Sequence, residues 1–378
     1  MRATVMILIL CMGWIAVWLP AAEASEPMSP PSLSAQAAVL VDVQSNRVLF
    51  AKNADNRMRI ASLTKIMTAI VAIENGRLGE KVKVGPRAAG VEGSSIYLKE
   101  GEEIPLEHLL YGLMLRSGND AAVAIAEHIG GSLNGFVYMM NEKAEYLGLE
   151  GTHFENPHGL DAPEHYSTAR DVAKLTAYAL KNPTFRKIVG TQVKTVPWPG
   201  EQWHRKWYNK NKMLRLFPGG DGVKTGYTKL SKRTLVSSAT RDGRQLACVT
   251  LNAPDDWNDS MFLLEYGFRE FTPESLVHKG EVMADIPGDE QPALAVVTTK
   301  GFRYPLRSGE EQEISVKPMI TYPLAKVRKE GTRVGTARIY LKGKPIGSVP
   351  LEVKKKPAED TALGQWLSVL AYMVGRGG

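Results

Sequence analysis

Three short groups of residues in this chain carry side chains that could perform chemistry together. They follow one another as Ser62-Leu63-Thr64-Lys65, Ser117-Gly118-Asn119 and Lys224-Thr225-Gly226. On a helix, residues three apart share a face, so the Ser62 hydroxyl and the Lys65 amine are neighbours if the segment is helical. A serine hydroxyl is a weak nucleophile until a base takes its proton. A lysine serves as that base only when its pKa falls from about 10.4, through burial or through a nearby cation such as Lys224. Ser117 can relay a proton between Lys65 and a leaving amine. The Asn119 amide both accepts from and donates to a peptide backbone and so orients a substrate. Lys224 supplies charge and Thr225 a hydroxyl donor, a pair suited to a terminal carboxylate. Gly226 lets an extended substrate approach the backbone closely. An oxyanion would be held by the backbone N–H groups of Ser62 and Tyr227. Each group is a weak signal alone, and the three in this order point to acyl transfer through a serine ester.

The flanking sequence supplies elements that could hold these groups. Ala38 to Asp42 and Arg47 to Phe50 are short apolar runs around Gln44-Ser45-Asn46, which reads as a hairpin. Helical stretches are expected over 62–75, closed by Gly76, and over 136–147, closed by Gly148. Residues 106–129 also keep helical periodicity. Strands are expected at 234–238 and 246–251, with a helix near 261–268. Strands at both ends with helices between predict an α+β unit over 37–273, an antiparallel sheet flanked by helices. From 274 to 356 short β-prone runs at 293–299, 314–316, 336–341 and 348–353, separated by Gly, Pro and Lys, predict a small all-β domain with a turn at Lys342-Gly343-Lys344.

The two ends of the chain have their own character. Arg2, an apolar run from Val5 to Leu19 and the small residues of Ala22-Glu23-Ala24 read as a secretory signal peptide over 1–24. Residues 25–36 are rich in Pro and Ser and read as a flexible linker. Residues 358–378 place Leu363, Trp366, Leu367, Leu370, Met373 and Val374 on one helical stripe flanked by Lys354, Lys355, Lys356 and Arg376. That pattern suits an amphipathic helix lying on a membrane surface, which would hold an exported protein at the outer face of the cytoplasmic membrane. Without the signal, Cys248 is the remaining cysteine, so no intrachain disulfide is possible, and its strand context reads as a buried, inert thiol.

The likeness extends beyond the three groups. Ile60 to Ala69, Leu113 to Ala122, Asn156-Pro157-His158-Gly159-Leu160 and Tyr166-Ser167-Thr168-Ala169-Arg170-Asp171 resemble the low-molecular-mass penicillin-binding proteins that act as D-alanyl-D-alanine carboxypeptidases. The resemblance implies the penicillin-binding, β-lactamase-like transpeptidase fold with a small C-terminal all-β domain and a terminal amphipathic helix. It implies removal of the last D-alanine from peptidoglycan stem peptides through an acyl-Ser62 intermediate, with no cofactor and with β-lactams as covalent inhibitors. It also implies that His158 shapes the loop forming the floor of the site. Tyr227 to Thr234 is similar to the sporulation type, which trims spore cortex peptidoglycan, and its basic character departs from the commoner Ala-Gly-containing pattern.

Other chemistries are disfavoured. The seven histidines include no His-Glu-x-x-His and no tight Cys/His cluster, which argues against a metal site. Trp203, Lys206 and Trp207 could stack nucleic-acid bases, but an exported chain has no such partner. A serine β-lactamase would want Ser-Asp-Asn and a Glu-x-x-x-Asn loop, whereas Glu155 is followed directly by Asn156. Endopeptidase action on D-alanyl cross-links stays open. A non-catalytic wall-binding scaffold would have lost one of Ser62, Lys65, Ser117, Asn119, Lys224 or Thr225, and all six are present.

Overall fold

The computed structural model describes residues 29–198, 200–286, 294–327 and 329–355. The signal-like residues 1–24 and the helix expected over 358–378 lie outside the described residues. Among the described residues no helix is long and apolar enough to cross a membrane.

Nine strands belong to the first unit: β1 (Ala37–Asp42), β2 (Val48–Lys52), β3 (Lys81–Lys83), β4 (Glu103–Pro105), β5 (Val193–Val196), β6 (Arg205–Tyr208), β7 (Gly220–Thr228), β8 (Lys232–Arg241) and β9 (Arg244–Leu251). Five of them form one antiparallel sheet in the order β2-β1-β9-β8-β7. Every residue of β1 is buried, because helices cover both faces of the sheet. Alternation along the strand divides the core. Val39 and Val41 pack with Ala247, Val249 and the helices Lys65–Asn75, Asn119–Gly130 and Ala169–Lys181. Ala38 and Leu40 point the other way and pack with Leu246, Cys248, Leu263 and Leu264, the last two on the helix Asp256–Glu270. Burial in this second cluster raises the Cys248 thiol to about 12, which leaves it inert at neutral pH.

The strand Phe271–Val277 (β10) runs across the boundary expected at 273 and pairs with β13 (Phe302–Arg307). Beyond it lie β11 (Val282–Asp285), β12 (Leu294–Thr298), β14 (Ile314–Ile320), β15 (Arg333–Leu341) and β16 (Lys344–Lys355), in the sheet order β11-β12-β16-β15-β14. Arg47 joins the two units. Its guanidinium meets the Glu310 carboxylate at 2.7 Å and lies 5.2 Å from the ring centres of both Phe271 and Tyr304.

Three local features differ from the sequence expectations. Residues 33–36, read as flexible linker, are packed: Leu33 and Ala35 are buried and the Ala35 N–H donates to Asp259 at 2.8 Å. The helix expected from Ser62 begins as a 3-10 turn, Ala61–Thr64, and becomes α-helical at Lys65. The helical periodicity read over 106–129 runs through an interruption: a wide turn, Gly112–Arg116, ends at Ser117 in the left-handed region with φ 65°. Apolar side chains keep facing the core through that turn, so the periodicity survives the interruption that the hydrogen bonds do not.

Candidate active site

The three sequence groups converge at the free edge of the sheet, where β7 has β8 on one side and the Ser62 turn on the other. Lys224, Thr225 and Gly226 lie inside β7, not at its start. A methyl group at position 226 would sit 2.4 Å from the Thr234 hydroxyl and 3.1 Å from the Ser62 nitrogen. Gly226 is therefore required by the packing of the serine turn as well as by room for a substrate. Thr234, on β8, also donates to the Ile60 carbonyl at 3.3 Å. The 3-10 geometry of that turn eclipses positions i and i+3 and brings Ser62 against Lys65.

Lys65 is fully buried, and its Nζ has three oxygen neighbours. It lies 3.1 Å from Ser62 Oγ, 2.7 Å from Asn119 Oδ1 and 2.6 Å from the His158 carbonyl. Burial first, then the Lys224 and Lys210 ammonium groups, push the Lys65 pKa well below the usual lysine range. A neutral amine has two N–H donors and one lone pair. The Asn119 and His158 oxygens can only accept, so they take both donors. The lone pair then faces Ser62, whose O–H can donate into it. Such an arrangement can withdraw the serine proton as the hydroxyl attacks a carbonyl.

Asn119 is held at both ends. Its Nδ2 donates to the Glu92 carbonyl at 2.7 Å and its backbone N–H donates to the Ser94 carbonyl at 2.6 Å. The next residue, Asp120, accepts from the N–H groups of Ile96 and Leu98 and from the Ser95 hydroxyl. This ties the 92–98 loop over the start of the Asn119–Gly130 helix. Ser117 is buried between the wide turn and Asn119.

Lys224 is also buried, with Nζ donating to the Thr225 carbonyl at 2.8 Å. Burial and the Lys210 charge lower it to about 7. Lys210, which the sequence reading did not single out, stands at the same rim. Its Nζ is 3.4 Å from Ser94 Oγ, and partial burial followed by the Arg116 charge lowers its own pKa. Three lysines, Lys65, Lys224 and Lys210, thus share one small volume, and none of them has a carboxylate within salt-bridge distance among the described ion pairs. An anionic group fits there. Tyr227 is well exposed at the mouth of the cleft. Thr228 donates to Asp161, which fastens the β7–β8 turn to the 157–165 loop.

That loop carries a second residue, His165, for which the sequence reading weighed only a metal site and set it aside. The Glu155 N–H donates to His165 Nδ1 at 3.1 Å, so Nδ1 accepts and the ring proton resides on Nε2. Nε2–H then donates to Thr64 Oγ1 at 2.8 Å, and the Thr64 hydroxyl donates to the Ala61 carbonyl at 2.8 Å. Ala61 has φ 47°, in the left-handed region that side chains avoid. The relay from His165 therefore holds the residue before Ser62 in a costly conformation. Gly159, at φ +87°, packs so closely that a methyl group there would lie 1.9 Å from the Ala61 oxygen. Burial lowers His165 to about 4 and His158 to about 3, so both rings are neutral.

Known proteins resemble this chain in sequence and in fold. Residues 23–255 match the D-alanyl-D-alanine carboxypeptidase family, and residues 271–359 match the penicillin-binding protein 5 C-terminal domain. The chain is 33% identical over 338 residues to D-alanyl-D-alanine carboxypeptidase DacF of Bacillus subtilis, covering 85% of each. It is 33% identical to D-alanyl-D-alanine carboxypeptidase DacC of Escherichia coli, covering 93% of this chain and 92% of that one. The crystal structure of penicillin-binding protein 5 from Haemophilus influenzae superposes with a TM-score of 0.70 at 29% identity, covering 87% of this chain and 99% of that one. The fold is thus that of the penicillin-binding active-site serine enzymes, joined to their C-terminal all-β domain. The chain belongs to the D-alanyl-D-alanine carboxypeptidase family.

Proposed function

We infer that this chain is a serine-type D-Ala-D-Ala carboxypeptidase that removes the terminal D-alanine from peptidoglycan stem peptides. The observation that carries the reading is the Lys65 amine, buried, its pKa pushed well below the usual lysine range and its Nζ 3.1 Å from Ser62 Oγ. Ser62 attacks the penultimate D-alanine carbonyl while its proton passes to Lys65. The oxyanion is met by the N–H groups of Ser62 and Tyr227. Thr225, Lys224 and Lys210 receive the terminal carboxylate, and Asn119 and the edge of β7 align the peptide. Lys65 returns the proton through Ser117 to the departing amine, and water then hydrolyses the ester with the same groups in reverse order. β-Lactams, which carry a carboxylate beside a strained amide, would acylate Ser62 by the same route.

The signal-like residues 1–24 and the apolar stripe of 358–378 support an exported enzyme held at the outer face of the cytoplasmic membrane. The basic segment Tyr227 to Thr234, together with the similarity to DacF, supports the narrower likeness to the sporulation type. The test is release of D-alanine from a pentapeptide ending in D-Ala-D-Ala. The purified mature chain should release one equivalent per peptide and Ser62→Ala none. Release by the Ser62→Ala variant would refute the reading.

A further inference from the structure

A cavity of about 320 Å³ lies between the helix Ala169–Lys181 and the β1–β2 hairpin, and none of the residues lining it takes part in the chemistry assigned to Ser62. The volume falls within the range of small-molecule sites, roughly 300–1,000 Å³. Its walls are mainly apolar. Val41 and Val48 come from the hairpin, Ala173 from the helix, and Leu147 from the end of the helix Leu133–Tyr146. The rim is basic for a reason written in the sequence. Arg170, Lys174, Tyr178 and Lys181 recur at offsets 0, 4, 8 and 11, so they share one stripe of the helix. Val172, Leu175 and Ala179 lie on the opposite side and are buried in the core.

The charges on that rim are unequal. Arg170 is neutralised by Asp55, which accepts from its Nε at 2.6 Å and from its Nη2 at 3.0 Å. Lys174 Nζ donates to the Gly148 carbonyl at 3.1 Å and Lys181 Nζ to Asn46 Oδ1 at 3.3 Å, both uncharged oxygens. Neither lysine has a carboxylate partner among the described ion pairs, and among the described residues no acidic side chain lines the cavity. Partial burial lowers the Lys181 pKa, and Asp42, whose charge opposes that shift, is held by Arg244 at 3.0 Å. Lysines on a solvated surface often lack partners too. These two differ because they flank apolar walls that an acyl chain would remove from water. A sugar or a peptide would leave hydroxyl or amide groups against those walls without partners. The stripe of 358–378, flanked by Lys354, Lys355, Lys356 and Arg376, would bring like charge to the rim. An acidic head on an apolar body matches both the walls and the rim.

We propose that this cavity is an accessory binding site for an amphipathic carboxylate, whose apolar chain lies against Val41, Val48, Leu147 and Ala173 and whose head pairs with Lys174 and Lys181. Binding there is independent of the acyl-Ser62 chemistry, because the two sites share no residue.

The test titrates the mature chain by calorimetry with dodecanoate, with dodecyltrimethylammonium and with acetate, each below its micelle concentration. Dodecanoate should bind saturably. The cationic amphiphile and acetate, which lack the right head or the chain, should bind about tenfold more weakly or less. Lys174 and Lys181 are exposed, so the double variant Lys174→Glu, Lys181→Glu should fold, with an unchanged circular dichroism spectrum and D-alanine release within about twofold of wild type. Its affinity for dodecanoate should fall about tenfold or more. The stripe of 358–378 is itself amphipathic, so the position of the ligand is read separately. A dodecanoate bearing a diazirine should, after irradiation, label peptides that contain 41–48, 147 or 170–181. Unchanged dodecanoate affinity in the double variant would overturn the proposal. So would equal affinity for the cationic amphiphile, or label confined to 358–378. Lysine-dependent binding to phosphatidylglycerol vesicles with no uptake of dodecanoate would also overturn it, since a lipid headgroup alone would then be the ligand.

Discussion

Lys65 Nζ stands 3.1 Å from Ser62 Oγ, and the two other oxygens that touch it, Asn119 Oδ1 and the His158 carbonyl, can only accept hydrogen bonds. The amine is thereby oriented to receive a proton from the serine. Replacing Lys65 by Arg puts a fixed positive charge where the amine stood and removes the base, because a guanidinium does not deprotonate in a protein. Acylation of Lys65→Arg by benzylpenicillin should fall by about 10² to 10⁴, the usual worth of a positioned base. Lys65→Met, which removes the amine and keeps an unbranched chain, checks that the fold survives the loss of the base. An arginine variant acylated at near wild-type rate would exclude the base assignment.

Lys210 lowers the pKa of both Lys65 and Lys224 by repulsion. In Lys210→Gln the protonated form of each becomes easier to hold, so both values rise. The ascending limb of the limiting acylation rate against pH should then move to higher pH. Activity lost at pH 7 should return in alkaline buffer. The measurement is the saturating acylation rate across the accessible pH range, which separates this effect from weaker carboxylate binding. A limb that stays put or moves to lower pH would contradict the assigned role.

His165 acts on Ser62 only through Thr64 and Ala61. His165→Ala leaves the Glu155 N–H and the Thr64 hydroxyl short of partners and opens space in a buried loop. Stability should drop by about 2–4 kcal/mol. Acylation should slow by about tenfold even where the variant is fully folded, since the left-handed Ala61 loses its support. His165→Gln, which can donate to Thr64, should recover part of the rate. Stability and rate are read by urea titration and by penicillin labelling. A destabilised variant with unchanged acylation would make His165 a packing residue alone.

The two buried histidines also set a pH dependence of folding. Their folded values, about 3 for His158 and about 4 for His165, lie below the ordinary 6.5. Between 6.5 and 4 the unfolded chain binds protons that the folded chain refuses. Stability is therefore complete above about 6.5 and falls as the pH drops, by about 1.4 kcal/mol per pH unit for each histidine. Urea midpoints at pH 7 and 5 should differ accordingly. The double variant His158→Asn, His165→Asn should show a flatter profile. An unchanged midpoint between those values in the wild-type chain would contradict neutral burial.

Much of the site is legible in the residues because its chemistry is local. Ser62 and Lys65 share one turn, and Ser117 and Asn119 share another, so spacing alone brings each pair together. The sheet is equally legible, since β8 and β9 carry continuous buried runs and β1 is apolar from Ala37 to Val41. Lys210 escaped because Asn209-Lys210-Asn211 reads as a polar loop. Only the fold shows Asn209 bonding the Val189 and Thr191 carbonyls, and Asn211 bonding the Val236 carbonyl, which fixes the lysine at the rim. His165 meets Thr64 across about a hundred residues of sequence, and no periodicity encodes that contact. The left-handed turn at Ser117 was not legible because apolar spacing records which face is buried and not which backbone bond closes the turn.

The central claim is that Ser62 forms a covalent acyl-enzyme. The most direct test is mass spectrometry of the mature chain after incubation with benzylpenicillin, followed by peptide mapping. One penicilloyl adduct that persists on the peptide containing Ser62, and is missing from Ser62→Ala, is the expected result. Rapid penicillin turnover with no adduct, or an adduct on another residue, would contradict it.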